Sequence, residues 1–346
     1  MADGIPARLT LSRRREWLLR ICLLGASLLF GLAMAEGMAR AFFPLYDGRQ
    51  NVDLRGQTIT DWFTPGSVYR QISNEYDALT TITEKGHRVP GTEGNPDVIF
   101  LGDSFTYGYG LADDETFAGI YCSRQQVACA NLGMPGSGTS RQVKRLQQFI
   151  ETWHWRPKEV KLFFFGMSGS FSAGNDFVDN FGYSRWLEGQ ARGVPARREA
   201  PRPSFASRVI SSQTSLLEHS YLMRRVKYHW GPLLKSMLVV DPDEDQMAQA
   251  LVDTQRGFQE LDDLSRKAGF DYSVYLIVPV QDIIRGSYPE TLLALNGVST
   301  KPVATTAPLF VDDPAKFYYA YDGHLNPEGS RRVAEYLISL DRDAQR

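Results

Sequence analysis

Asp97-Val98-Ile99-Phe100-Leu101-Gly102-Asp103-Ser104-Phe105-Thr106-Tyr107-Gly108 is the stretch on which the reading of this chain turns. Residues 97–101 are an almost wholly apolar run set directly after the turn-forming Gly94-Asn95-Pro96. A strand buried on both faces of a parallel sheet reads this way, without the alternation of a half-exposed strand. A serine follows the end of that strand, and Gly102 permits a tight turn in front of it. The turn exposes the hydroxyl, and the N-terminus of a following helix favours negative charge beside it. Gly-Asp-Ser alone is common in plain turns. The strand in front of it gives it weight.

Working outward, strands and helices alternate. Residues 127–132, 160–165 and 272–278 read as further buried strands. Helices are expected over 116–125, over 140–152 with Val143, Leu146, Phe149 and Ile150 at helical spacing, and over 244–268 with Gly269 as its stop. A closing helix over 326–340 has Asn326 as its cap and Pro327 at its first position. This order predicts an α/β fold, a parallel sheet covered by helices on both faces. Ligands in such sheets bind at the carboxyl ends of the strands.

The chain of 346 residues carries 38 basic and 40 acidic side chains, a formal net charge of −2, so no overall field recruits nucleic acid. Local basic clusters occur at Arg13, Arg14 and Arg15 and between Arg185 and Arg208; the second reads as a solvated Pro- and Gly-containing loop. Cys22, Cys122 and Cys129 have no metal-site spacing, and no ligand cluster supports metal catalysis or a cofactor. If the segment carrying them is exported, Cys122 and Cys129 are candidates for a disulfide. The glycines from Gly133 to Gly138 lack the order of a dinucleotide-binding loop.

Residues 17–35, WLLRICLLGASLLFGLAMA, approach the ~20 apolar residues of a spanning helix, with Arg20 snorkelling to the interface. Arginines 8, 13, 14, 15 and 20 precede or open the run and predict a cytoplasmic N-terminus, residues 1–16. Ala33-Met34-Ala35 supports a second reading, a cleaved signal peptide and a secreted product. Both readings place the remainder outside the cytoplasm, on the periplasmic side. Residues 46–94 read as an irregular lead-in and residues 95–346 as the main domain. That domain is interrupted at about 180–245 by an insertion in which Pro195, Pro201 and Pro203 break the pattern and 216–235 looks helical.

A serine nucleophile needs a base, and the histidines are His87, His154, His219, His229 and His324. Only His324 sits in a loop before the final helix with a carboxylate beside it, in Tyr321-Asp322-Gly323-His324-Leu325-Asn326-Pro327. A neutral imidazole accepts the serine proton at physiological pH, and Asp322 is the candidate to orient it. Acyl transfer also needs donors for a developing oxyanion. Gly133, after the second strand, offers a backbone N–H, and Asn175, after the third, offers a side-chain amide. Turn formation is the plainer reading of both loops.

Four loops, each carrying a required residue type, resemble the SGNH (GDSL-type) hydrolase family over residues 95–342, the insertion excepted. GDSFTYGYG looks like its first block, with Ser104 as nucleophile and its N–H in the oxyanion hole. NLGMPGSGTSRQ looks like the second, giving Gly133; GNDFVDN is similar to the third, giving Asn175; DGHLNPEG looks like the last, giving His324. The resemblance implies a flavodoxin-like three-layer α/β/α sandwich and a serine esterase, or a related O-acyltransferase, working through an acyl-enzyme. It implies as substrate an acylated small molecule, cell-envelope glycan or lipid, with the N-terminal helix in the membrane.

Two departures stand out. The family's last block places Asp three residues before His, whereas here Tyr321 holds that place and Asp322 stands two before. Asp312, Asp313 or a Ser-His dyad are the alternatives for the acid. Residues 166–173 also lengthen the path from the third strand to Asn175, which leaves Ser168 or Ser170 as alternative donors. A non-catalytic envelope-binding protein on the same fold is the competing class of function.

Overall fold

A computed structural model describes residues 13–42, 50–91, 94–167, 175–191, 220, 222 and 244–344. The chain divides into two units, one comprising residues 1–45 and 211–231 and the other residues 46–210 and 232–346. In the first, α1 (Arg13–Phe42) is a 30-residue helix long and apolar enough to cross a membrane. Its charges sit near its ends: Arg13, Arg14 and Arg15 open it, and Glu16 pairs with Arg20 and Glu36 with Arg40, each 2.8 Å apart. Ser220 Oγ and the Leu222 N–H donate to the Glu36 carboxylate. The serines at 168 and 170, the residues between 192 and 219, and the predicted helix over 216–235 fall outside the described residues, Ser220 and Leu222 apart.

The second unit opens with a three-stranded antiparallel sheet where an irregular lead-in was expected: β1 (Gln50–Asp53), β2 (Val68–Ile72) and β3 (Asp77–Thr81). β2 and β3 form a hairpin in which buried Tyr69 and Gln71 and buried Ala78 and Thr80 alternate with more exposed neighbours. The main sheet contains β4 (Arg88–Gly91), β5 (Val98–Gly102), β6 (Cys129–Asn131), β7 (Glu159–Phe165), β8 (Asp271–Ile277) and β9 (Val303–Thr305). Its order is β4-β6-β5-β7-β8-β9, parallel except for β4. β4 contains Pro90, which cannot donate to a ladder and suits an edge.

The helices of this unit are α2 (Ser104–Tyr107), α3 (Phe117–Gln125), α4 (Thr139–Trp153), α5 (Asp176–Ala191), α6 (Glu244–Ala268), α7 (Val280–Arg285), α8 (Tyr288–Val298) and α9 (Pro327–Ala344). They form two layers, as β7 makes plain. Phe163 packs on Phe117 of α3, with ring centroids 4.6 Å apart. Its neighbour Phe164, pointing the opposite way, packs on Phe177 of α5 at 4.7 Å and Phe258 of α6 at 6.2 Å. α9 joins α3 on the first face, and α4, α5 and α8 gather around α6 on the second. The expected three-layer α/β/α sandwich is the one observed.

α5 begins before the position where regularity was expected to lapse. Its apolar residues lack a helical stripe, and contacts to neighbours hold it instead: Asn180 Nδ2 donates to Thr254 Oγ1 at 3.0 Å and its Oδ1 accepts the Ser140 N–H at 3.0 Å. Cys122 and Cys129 are bonded, closing the α3-to-β6 connection.

Two arginines, Arg88 fully buried and Arg145 partly buried, tie the N-terminal segment to the sandwich. Arg88 donates to the carbonyl oxygens of Tyr107 (2.7 Å), Gly108 and Leu111 and pairs with Asp113 at 3.3 Å. Arg145 of α4 donates to the Gly86 carbonyl at 2.9 Å and lies over the Phe63 ring. Between them His87 is fully buried against Phe149 and Trp155, with Nδ1 3.1 Å from the Arg88 carbonyl.

Burial pushes the His87 imidazole down to about 4, opposed by the Arg88 carbonyl and helped by Arg145 and Lys85. A histidine held neutral in the fold takes up its proton only on unfolding, so its contribution is lost as pH falls from 6.5 towards 4. Between about pH 7 and about pH 5 this amounts to roughly 2 kcal/mol. His87→Gln is expected to lose less stability than the wild type across that interval in parallel thermal melts.

Candidate active site

The parallel strands run in the order β6-β5-β7-β8-β9, so the first of them in sequence has neighbours on both sides. The chain leaves it to one side and later returns on the other. In doubly wound sheets that switch point opens a crevice at the strand's carboxyl end. Ser104 is the second residue past it.

The turn from β5 into α2 leaves no room for a side chain. A Cβ on Gly102 would lie 2.2 Å from Thr106 Oγ1 and 2.6 Å from the Phe163 carbonyl oxygen. Asp103 caps α2, its Oδ1 accepting the Phe105 N–H at 2.9 Å. Ser104 thus opens the helix with its hydroxyl directed at His324: Ser104 Oγ lies 2.7 Å from His324 Nε2. The other ring nitrogen, Nδ1, is hydrogen-bonded to Asp322 Oδ1. Serine, histidine and aspartate stand in one hydrogen-bonded series, and the acid is the residue two before the histidine.

That short spacing works because Gly323 takes φ +82°, in the left-handed region, and the chain doubles back. The Tyr319 N–H donates to the His324 carbonyl at 2.8 Å and the Gly323 N–H to the Tyr319 carbonyl at 3.0 Å, closing the reversal. Immediately after it, Asn326 Oδ1 accepts the N–H groups of Glu328 and Gly329, capping α9 as expected. The His324 side chain is 8% exposed, and its ring lies between Phe105 (4.7 Å) and Tyr109 (5.4 Å). Phe105 in turn stacks on Phe165 at the end of β7.

The two expected oxyanion donors come to the same end of the sheet with their hydrogen bonds directed inward. A Cβ on Gly133 would lie 2.3 Å from the Tyr107 nitrogen, so this glycine is pressed against α2, and its N–H donates to Asn131 Oδ1 at 3.0 Å. Asn175 is buried just before α5; its amide donates to the Met167 carbonyl at 3.3 Å and its Oδ1 accepts the Phe177 N–H. Asp312 and Asp313 make no hydrogen bond with His324, whose ring is engaged by Asp322 and Ser104.

Several residues of the site gave no signal as such in the sequence. Tyr76, in the turn of the β2–β3 hairpin, donates its hydroxyl to Asp322 Oδ2 at 2.8 Å. Glu75 beside it accepts the N–H groups of Tyr321 (3.1 Å) and Asp322 (2.7 Å). Tyr319 donates its hydroxyl to the Gly110 carbonyl at 2.9 Å. The available signal was the alternation on both sides of Ser73-Asn74-Glu75-Tyr76, which marks a hairpin but not what its turn touches.

Buried carboxylates lie under the serine. Burial pushes Asp103 up to about 7; the Phe105 N–H opposes this and the charge of Asp179 adds to it. Burial, then the charges of Asp103 and Asp179, hold Asp176 well above the usual carboxylate range. Ser104 Oγ is 3.4 Å from Asp103 Oδ2, farther than from His324. Among the described residues no group of acidic, histidine and cysteine side chains could hold a metal ion.

No model of a known protein family matches the chain, and no curated protein matches it. Solved structures it resembles include a protein assigned to the G-D-S-L lipolytic family from Desulfitobacterium hafniense DCB-2, at 12% identity over 70% of this chain and 98% of that one, TM-score 0.36. A psychrotrophic esterase from a Pseudoalteromonas species is similar at 12% identity over 72% and 98%, TM-score 0.37. An acetyl-xylooligosaccharide esterase from Geobacillus is similar at 13% identity over 71% and 94%, TM-score 0.34. These likenesses are distant.

A group whose folded pKa is raised stabilises fully below its unfolded value and loses that contribution as pH rises through the folded one. For Asp103 the window runs from 3.8 to about 7. Asp103→Asn keeps a capping oxygen while removing the charge. The variant is expected to lose less thermal stability than the wild type between about pH 5 and about pH 8.

Proposed function

We propose that this chain is an SGNH-type serine hydrolase of ester bonds, acting through a Ser104 acyl-enzyme. The observation that carries the reading is the series Ser104 Oγ, His324 Nε2, His324 Nδ1 and Asp322 Oδ1 at the carboxyl end of β5. In this mechanism Nε2 takes the hydroxyl proton as Oγ attacks the ester carbonyl. Asp322 accepts from Nδ1–H, which fixes the tautomer with its free lone pair towards the serine and stabilises the imidazolium that forms. The imidazolium then protonates the leaving alcohol.

Water activated by the same nitrogen completes hydrolysis. A sugar hydroxyl in its place makes the same intermediate an O-acyltransferase. The tetrahedral oxyanion calls for donors, each typically worth ~3 kcal/mol. Ser104 N–H, Gly133 N–H and the Asn175 amide are the groups assigned to it; Gly133 serves on release of its bond to Asn131.

We place the hydrolase domain on the extracytoplasmic side, tethered by α1, and take an acylated cell-envelope glycan or lipid as substrate. The arginines before the apolar run support the orientation, and the Cys122–Cys129 bond suits an oxidising compartment.

Hydrolysis of p-nitrophenyl acetate by the full chain in detergent tests the chemistry. Ser104→Ala and His324→Ala are each expected to lower kcat by about 10³-fold or more. Turnover in either variant equal to that of the wild type overturns the mechanism.

A further inference from the structure

Residues that precede the sandwich reach its reaction centre. The turn of the β2–β3 hairpin inserts Glu75 and Tyr76 against the loop that carries Asp322, some 246 positions later in the chain. We propose that Tyr76 and Glu75 are positioning residues for the proposed triad, so that the N-terminal sheet is a working part of the active site. This rests on the reading of Ser104, His324 and Asp322 given above.

Three observations carry it. Asp322 has one oxygen on His324 Nδ1 and the other on the Tyr76 hydroxyl, so the carboxylate is gripped at both ends and its plane is fixed relative to the imidazole. Its side chain is 3% exposed, which leaves protein groups to solvate it. The Glu75 carboxylate collects the backbone N–H groups of Tyr321 and Asp322, the two residues at the apex of the reversal through Gly323. Those two bonds hold the unusually short Asp-x-His connection in the conformation that turns the acid back onto the ring.

The Tyr76 ring is itself held. It packs against Tyr319 at 5.0 Å and edge-on to Tyr109 at 6.2 Å, and Tyr109 lies against the His324 ring. A Cβ on Gly110 would lie 2.8 Å from the Tyr76 ring, so that glycine admits the tyrosine. Among the described residues, titratable groups facing the Asp322–His324 pair are Glu75 and Tyr76 from the hairpin, Asp103 and Tyr109 from the serine loop, and Tyr319 from the histidine loop.

Tyr76 shares the negative charge of Asp322 through its hydrogen bond. Without that bond the carboxylate's charge bears more fully on the imidazolium, which raises the pH at which the base loses its proton. A structural contact alone would change the fraction of folded protein and leave that pH where it is.

The test is the rate at which a fluorophosphonate labels Ser104, measured against pH on the full chain in detergent and normalised to the titratable sites. Labelling needs the serine and its base but no acyl acceptor: Oγ bonds to phosphorus, fluoride leaves and His324 takes the proton. Tyr76→Phe is expected to label about tenfold more slowly, with its acidic limb displaced to higher pH. Glu75→Gln is expected to slow labelling less, because an amide oxygen in the place of Oε2 still accepts both N–H groups, without the charge. It also serves if Tyr76→Phe fails to fold. Labelling of both variants at the wild-type rate with an unmoved limb overturns the inference alone. Wild-type protein that labels no faster than Ser104→Ala overturns the serine mechanism and the inference with it.

Discussion

Everything in the site hangs on a crowded turn. Where β5 ends, the chain must reverse into α2 beneath β7 and beside the loop after β6, and there is space for backbone only. Gly102 meets Thr106 and the Phe163 carbonyl, and Gly133 meets the Tyr107 nitrogen. Side chains at either glycine would push α2 away from the sheet, and Ser104 with it. The close approach fixes the serine to a strand whose five residues are all buried. The placement of Ser104 thus comes from the strand and two glycines, before any hydrogen bond is counted.

The histidine side is held differently, by a network that crosses the chain. Arg88, fully buried, gathers the carbonyl oxygens of Tyr107, Gly108 and Leu111, and so sets the path of the loop carrying Tyr109 and Gly110. Tyr109 lies along the imidazole, and the Gly110 carbonyl receives the Tyr319 hydroxyl from the histidine loop. Arg88 is itself paired with Asp113, whose carboxylate also accepts the Thr81 N–H at the end of β3. A buried guanidinium left without such partners would be costly, so strand, loop and hairpin stabilise one another.

How much of this the sequence disclosed follows from how local each cause is. The buried parallel strands were readable because a strand covered on both faces is a continuous apolar run. α6 was readable to its last residue because its stripe is periodic and Gly269 stops it. β1 to β3 read as an irregular lead-in, since strands of four and five residues carry an alternation too short to stand out, and β9 is an edge of three residues. α5 has no stripe, and packing rather than periodicity makes it helical. Within the site, Ser104, His324 and Asp322 announce themselves by their neighbours in sequence. Glu75 and Tyr76 do not, because only the folded chain brings them to Asp322.

Two carboxylates flank the Ser104–His324 pair, and their surroundings push them towards different work. Asp103 sits immediately before the serine with its Oδ2 3.4 Å from Oγ, near enough to compete for the hydroxyl proton. Burial and the charge of Asp179 raise it to about 7, and its Oδ2 lies farther from Oγ than His324 Nε2 does, at 3.4 Å against 2.7 Å. Asp322 receives the His324 ring N–H and the Tyr76 hydroxyl on its two oxygens, and its backbone N–H is taken by Glu75. Divergent environments for neighbouring acids are how a fold separates their roles. The serine proton is left with one strong acceptor, His324 Nε2, and the hydrogen bonds from the N-terminal hairpin hold the carboxylate that keeps that nitrogen in place.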